Sequence, residues 1–175
     1  MRKSLLLIIT ALLAIAITAS VALAAVNVKS FPTASFSGAT VTLTGGNFSG
    51  LGSVPAIAAF QATAGEATYT CTNPQGHASP GQNPVPAQPG DVSTQDLGNA
   101  DHNGRGTISN LSASVKAPPT PSAQEVGCGG TGNTKWTVTL NTLTATAAHL
   151  EITQAGTVVF CRNYTIDGPA IGTAC

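Results

Sequence analysis

The chain has 175 residues, of which 42% are hydrophobic and only 8% charged. Beyond residue 24 it keeps all seven acidic residues but five bases, Lys29, Arg105, Lys116, Lys135 and Arg162, for a net charge of −2. Neutralising phosphate takes clustered Lys and Arg, so this composition argues against a nucleic-acid partner and against electrostatic docking to a membrane.

The chain opens MRKSLLLIITALLAIAITASVALA. Arg2 and Lys3 precede an almost wholly apolar run from Leu5 to Ile17, and Ala22-Leu23-Ala24 fits a small-x-small cleavage signal. Residues 1–24 read as a secretory signal peptide removed before Ala25. The alternative is an uncleaved anchor, because about 20 apolar residues span a bilayer. No second long apolar run follows, so the membrane enters only through this segment. Residues 25–175 suit one secreted domain. That part holds 22 threonines against 12 charged residues. Threonine is β-branched and favours a half-exposed pleated surface.

Period-2 alternation then dominates. "ATVTLTGG" places Val41 and Leu43 on one face and ends at Gly45-Gly46. "PAIAAFQATAGEATYTCT" reads as a long strand bent at Gly65, because glycine inside a strand pattern marks a bulge. "GTISNLSASV" spaces Ile108 and Leu111 by three and predicts a bulge near Ser109-Asn110. "KWTVTL" alternates Trp136, Val138 and Leu140 with threonines. "AHLEIT" and "GTVVFCRNYTI" form a final pair, with a hairpin turn at Gln154-Ala155-Gly156. Seven or eight strands in this spacing predict an all-β fold, an antiparallel β-sandwich of immunoglobulin-like architecture. The expected core is Val41, Leu43, Ile57, Phe60, Tyr69, Ile108, Leu111, Val115, Trp136, Val138, Leu140, Leu150, Ile152, Val158, Phe160 and Ile166.

Two stretches interrupt the strands, and both exceed hairpin length. The first is "CTNPQGHASPGQNPVPAQPG" and its continuation to about residue 104. Within it, "NPVPAQPGDVS" can pair only at a sheet edge, since proline donates nothing to a ladder. The second is "APPTPSAQEVGCGGTGNT", 117–134. Four cysteines in an exported chain read as two disulfides, with three connectivities open. If the strand ending at Cys71 runs up, the chain returns through the edge strand and 105–115, and the 117–134 loop emerges at the same end. This favours Cys71–Cys128, with Cys161–Cys175 closing the tail. Cys71–Cys161 is the rival, and a third arrangement leaves Cys175 free for cross-linking between chains.

Little in the sequence points to chemistry. His77, His102 and His149 are far apart, no serine sits in a G-x-S-x-G elbow, and the acids are scattered. No catalytic residues and no cofactor are expected, and the chain reads as a non-enzyme. The one metal candidate is "NADHNGRGTISN", where Asn99, Asp101 and Asn103 precede Gly104 at calcium-loop spacing. It lacks the leading aspartate and the closing glutamate, and Asn103-Gly104 reads more simply as a tight turn. Asn47, Asn110 and Asn163 head N-x-S/T triplets. Stacking on a sugar ring would need exposed aromatics, with Phe48 and Tyr164 as candidates.

"GLG", "ATYTCTNPQG", "PGQNP", "HNG" and "NTKWTVTLNTLTAT…GTVVF" occur in that order over roughly residues 40–166. In this combination the chain resembles a group of small exported bacterial β-sandwich proteins with Cys-Thr-Asn-Pro and Pro-Gly-Gln-Asn-Pro loops. Here those are Cys71 to Pro74 and Pro80 to Pro84, followed by Cys128 and the Asn133 to Thr137 strand entry. The resemblance implies a secreted, disulfide-linked β domain and no particular activity.

The expectation is a non-catalytic structural or adhesive protein of the cell surface or extracellular space, with self-association or a cell-surface or glycan partner. The alternative is a glycan- or ligand-binding module that uses loops 73–104 and 117–134.

Overall fold

A computed structural model describes residues 26–51, 54–97, 104–129 and 135–175. Among these residues the chain forms strands and no helix. In order they are β1 (Asn27–Ser30), β2 (Thr33–Ser37), β3 (Thr40–Thr44), β4 (Asn47–Ser49), β5 (Ala56–Thr72), β6 (Ala78–Pro80), β7 (Val85–Pro86), β8 (Ser93–Asp96), β9 (Gly106–Thr107), β10 (Asn110–Ser114), β11 (Thr137–Gln154), β12 (Thr157–Thr165) and β13 (Thr173–Ala174). Thirteen segments replace the seven or eight expected because several expected strands are broken and the proline-rich stretch contributes three short edge pieces.

The strands form three antiparallel sheets, ordered β1-β4-β9, β10-β3-β2 and β13-β12-β11-β5-β6, with β7 and β8 also paired to β5. The two small sheets are continuous in chain because two neighbouring strands kink together. Gly45 and Gly46, at φ 69° and 101°, carry β3 into β4. Alongside, Ile108-Ser109 separates β9 from β10, and the Ile108 amide donates to the Gly46 carbonyl at 3.0 Å. The spacing of three between Ile108 and Leu111 marks this switch, and both side chains are buried.

One apolar cluster joins all three sheets. Val41, Leu43, Phe48, Leu111 and Ala113 from the small sheets meet Ala58, Phe60, Leu150, Ile152 and Tyr164 from the large one. Burial of each large side chain contributes about 1.5–3 kcal/mol. The opposite face of the β10-β3-β2 sheet is zipped by hydroxyls: Thr40 to Ser114 at 2.7 Å, Thr42 to Ser112 at 2.9 Å and Thr33 to Thr44 at 3.2 Å.

The spine of the large sheet is the β5–β11 pair, and its burial phase changes midway. Ala56, Ala58, Phe60 and Ala62 face the core, then Gly65, Ala67, Tyr69 and Cys71 do. The even-to-odd slip coincides with register shifts on β11 between Ala145 and Ala148, opposite Ala62 to Gly65. Gly65 is required at this bend. A Cβ there would stand 2.5 Å from the Thr144 carbonyl oxygen, 3.1 Å from Val115 and 3.2 Å from Ala87. The β11–β12 hairpin closes at Ala155 and Gly156, with φ 49° and 76°, the left-handed pair of a two-residue turn.

Four expected core residues are exposed. Ile57 points outward because the alanines beside it hold the inward phase. Val158 sits at a bulge opposite Ile152 and Thr153, Leu140 lies beside a second bulge before Thr142, and Ile166 is past the end of β12. Trp136, Val138 and Phe160 are half-buried. Leu51, Phe48, Val126 and Tyr164, outside the expected core, are fully buried.

Candidate functional site

Beyond Gly65, β5 and β11 continue as an arm with its own small core. Ala67, Tyr69 and Cys71 are buried against Val126 and Cys128, with Val85, Ala123, Trp136 and Val138 packed around them. The 117–129 stretch therefore lies over one face of the arm. It is fixed by the Cys71–Cys128 disulfide, whose Cα atoms are 6.2 Å apart. The second disulfide joins Cys161 and Cys175, with Cα atoms 5.8 Å apart.

The two long loops also hold each other. The Gln82 and Asn83 amides donate to the Val126 carbonyl at 2.8 and 3.2 Å, and the Asn83 side chain donates to the Glu125 carbonyl at 3.3 Å. Each loop is ordered locally as well. The Asn73 side-chain oxygen accepts from the Gln75 and His77 amides at 3.0 and 2.8 Å. Ser122 donates its amide and hydroxyl to the Glu125 carboxylate at 2.6 and 2.8 Å, and the Glu125 amide donates back to the hydroxyl at 3.3 Å. These backbone and hydroxyl donors hold the Glu125 carboxyl below the usual carboxylate range. The proline-rich segment pairs at the sheet edge, as its missing donors require: Pro86 lies opposite Glu66 and Val85 opposite Ala67 on β5.

The other face of the arm is a threonine array. Thr72 pairs with Thr137, Thr70 with Thr139 and Thr68 with Thr142, and the last two hydroxyls hydrogen-bond at 2.6 Å. Further along the same sheet, beyond the Gly65 bend, the outward residues become polar and titratable. His149 Nδ1 lies 2.7 Å from Asn163 Oδ1, and Nε2 lies 3.1 Å from Glu151 Oε1. Partial burial pushes the His149 pKa down. The hydrogen bonds to Asn163 and Glu151, together with the Glu151 charge, outweigh that and hold it above the usual histidine value.

Two clefts lie near these elements. One of about 170 Å³ sits between Gly65, Glu66, Pro84, Val85, Pro86 and Thr146. The other, about 430 Å³, is lined by Lys29, Asn47, Phe48, Ser49, Arg105 and Thr107 on the β1-β4-β9 sheet. Its Asn47 is held by Ser30 Oγ at 2.8 Å and accepts from Thr107 Oγ1 at 3.0 Å. Two of the chain's few cations therefore share a polar cleft that sequence reasoning did not bring together; Lys29 and Arg105 are 76 positions apart, and no local motif links them.

The two described histidines do not converge. His77 precedes β6, whose Ala78 pairs with Thr72, whereas His149 pairs with Gln61. Those positions are eleven steps apart along β5, up to roughly 35 Å at the usual rise. His102 and the metal candidates Asn99, Asp101 and Asn103 lie outside the described residues, as do the signal segment 1–24 and Asn133. Among the described residues no group of three or more His, Cys, Asp or Glu is placed to hold a metal ion. No helix among them is long and apolar enough to cross a membrane. Phe48 and Tyr164, the aromatic candidates for stacking on a sugar, are both buried and cannot serve. Phe48 packs edge-on against Phe160 at 5.0 Å, and Tyr164 against Phe60 at 6.3 Å. Burial pushes the Tyr164 hydroxyl up to about 12, although the Arg162 charge acts against it. The exposed ring is Phe31, which is already covered by the Arg162 guanidinium, 3.9 Å from its centroid.

Compared with protein-family models, with curated proteins and with solved structures, the chain matches none.

Proposed function

We propose that this chain is an exported, non-catalytic β-sandwich of immunoglobulin-like architecture that serves a structural or adhesive role at the cell surface or in the extracellular space. The observation that carries the reading is the arm: a uniform threonine face on one side, and on the other a loop locked down by a disulfide. Two disulfides fit an oxidising compartment, and the leading apolar segment supplies a route there. A surface of paired hydroxyls has few charges to hold neighbouring molecules apart. The test is export of the full chain from a bacterial host, followed by attachment assays with the purified mature protein. The expected result is an oxidised protein beginning at Ala25 that adheres to cells or matrix or assembles. A reduced protein retained inside the cell, or one that neither adheres nor assembles, defeats the reading.

A second reading, a ligand-binding module, is favoured by the Lys29–Arg105 cleft. Two cations with Asn47, Ser49 and Thr107 around them suit an acidic saccharide better than a neutral one. This reading uses the β1-β4-β9 sheet in place of loops 73–104 and 117–134, in which Gln82 and Asn83 are already hydrogen-bonded to Glu125 and Val126. A glycan array enriched in uronic acids, with Arg105→Ala as control, tests it; no hits retire it.

A further inference from the structure

The β5–β11 arm has one covered edge and one open one. On the β5 side it is flanked by β6 and β7. On the β11 side, β12 begins pairing only at Ala147, and the turn at Gly38 takes the Ala145 amide at 2.8 Å. Residues 137–143 of β11 therefore pair on one side only, among the described residues. An unpaired strand edge is a template for another strand unless charge, proline or shortness blocks it. This stretch, TVTLNTL, contains no charged residue and no proline, and the first acid after it is Glu151. Its regular part, 137–140, is β-branched at Thr137, Val138 and Thr139 and precedes the bulge at Asn141. Leu140 beside it is 41% exposed, on the same face as Tyr69 and Cys71.

We propose that this edge pairs antiparallel with the same edge of a second copy of the chain. The inference deepens the structural or adhesive reading above and rests on it. A copy of itself is the occupant these residues fit. Antiparallel pairing of identical segments is self-complementary by a two-fold axis. It sets Val138 and Leu140 of one molecule beside those of the other, extending the arm's small core. It also sets threonine beside threonine on the opposite face, continuing the array from two strands to four. No like charges are opposed, because the segment has none. A foreign partner of defined chemistry would call for a charge or pocket on this edge, and residues 137–143 offer only backbone, hydroxyls, one amide and small apolar groups. The regular stretch is four residues long, so the pairing is weak and reversible, with dimers forming at micromolar to millimolar concentration.

The experiment is sedimentation of the mature, oxidised protein across that range, for wild type, Leu140→Lys and Val158→Lys. Edge lysine is a natural block to strand pairing, and Val158 is a comparably exposed apolar residue on another part of the sheet. The expected result is a concentration-dependent dimer whose dissociation constant rises at least tenfold in Leu140→Lys and less than twofold in Val158→Lys. Circular dichroism and melting temperature verify that each variant folds. Should Leu140→Lys fail to fold, Thr139→Lys, on the hydroxyl face of the same edge, takes its place with the same expected loss. A monomer throughout, or a dimer that survives both edge variants, overturns the proposal. A monomer that still adheres to cells overturns this proposal alone, whereas a dimer with no surface or matrix affinity counts against the adhesive role alone.

Discussion

Gly65→Ala is the smallest change with a large expected effect. The added methyl carbon would stand 2.5 Å from the Thr144 carbonyl oxygen, where ordinary contact begins at about 3.4 Å. The two central strands must then separate by about 0.9 Å, a fifth of the usual inter-strand spacing. Side-chain rotation cannot relieve the clash, because the oxygen is backbone and the flanking directions hold Val115 and Ala87 at 3.1 and 3.2 Å. Overpacking of this kind costs about 1–3 kcal/mol, and a clash with backbone belongs at the upper end. The reduced entropy of the unfolded chain returns about 0.4–1 kcal/mol. The net loss is on the order of 2 kcal/mol, which lowers the melting temperature by about 4–8 °C in a domain of this size. Urea unfolding followed by Trp136 fluorescence and by circular dichroism gives the free energy. Gly156→Ala is the comparison: nothing lies within 4 Å of its Cβ, but φ is +76°, so only left-handed strain of about 1–2 kcal/mol applies. A Gly65→Ala protein as stable as the parent would refute the close approach of β5 to β11 at the bend.

Replacing Cys71 and Cys128 by alanine should cost about 4 kcal/mol on loop entropy, and replacing Cys161 and Cys175 about 3 kcal/mol. Hydrogen exchange should localise the first loss to the arm and residues 117–129, and deprotection of the β3–β10 pair instead would contradict a separate arm core. Tyr164 has a folded pKa near 12, above its unfolded value near 10, so the stability tied to its neutral form is complete below pH 10. That stability, on the order of 2 kcal/mol after screening, is lost as pH rises towards 12; alkaline unfolding should shift in Tyr164→Phe and stay fixed if the ring is not buried. His149 also has a raised folded pKa, so its contribution is present below the ordinary histidine value and fades as pH rises through the folded one. Proton NMR should place its titration above 6.5, and His149→Gln should flatten the stability profile across that window.

Much of the fold is legible in the sequence because period-2 alternation and turn chemistry are local. The bend at Gly65, the switch between Ile108 and Leu111, the turn after Gln154 and the edge position of Val85-Pro86 all follow from residue types whose backbone demands are intrinsic. Strand direction also favours the Cys71–Cys128 pairing that is found, although the sequence left Cys71–Cys161 and a free Cys175 open. What misleads is residue size. Ile57 is large and branched, yet it faces out, because the phase of β5 is set by Ala56, Ala58 and Ala62 packed closely beneath the small sheets. An alanine is a weak hydrophobic signal and a strong packing one. Val158 fails for a related reason: the bulge opposite Ile152 and Thr153 reverses its face, and no glycine advertises it. Leu140 keeps the face of Tyr69 and Cys71 and is exposed because, among the described residues, its strand pairs there on one side only.

The candidate sites were less legible, and the arm explains why. Its threonine array is written as T-x-T-x-T in β5 and as T-x-T followed by Thr142 in β11, but a row of threonines reads as ordinary exposed strand until the register pairs Thr70 with Thr139 and Thr72 with Thr137. The open edge is a property of what does not pair with β11 among the described residues, which depends on β12 ending at Thr165, opposite Ala147. Lys29 and Arg105 come together because β1 and β9, far apart in the chain, both pair with β4. In each case the information is relational: it lies in strand order and register, which loop connections decide. A chain with so few charges gives those relations no motif to announce them. On the proposed structural or adhesive reading, repetition and unpaired backbone carry the surface contacts, and the edge of β11 is where both coincide among the described residues.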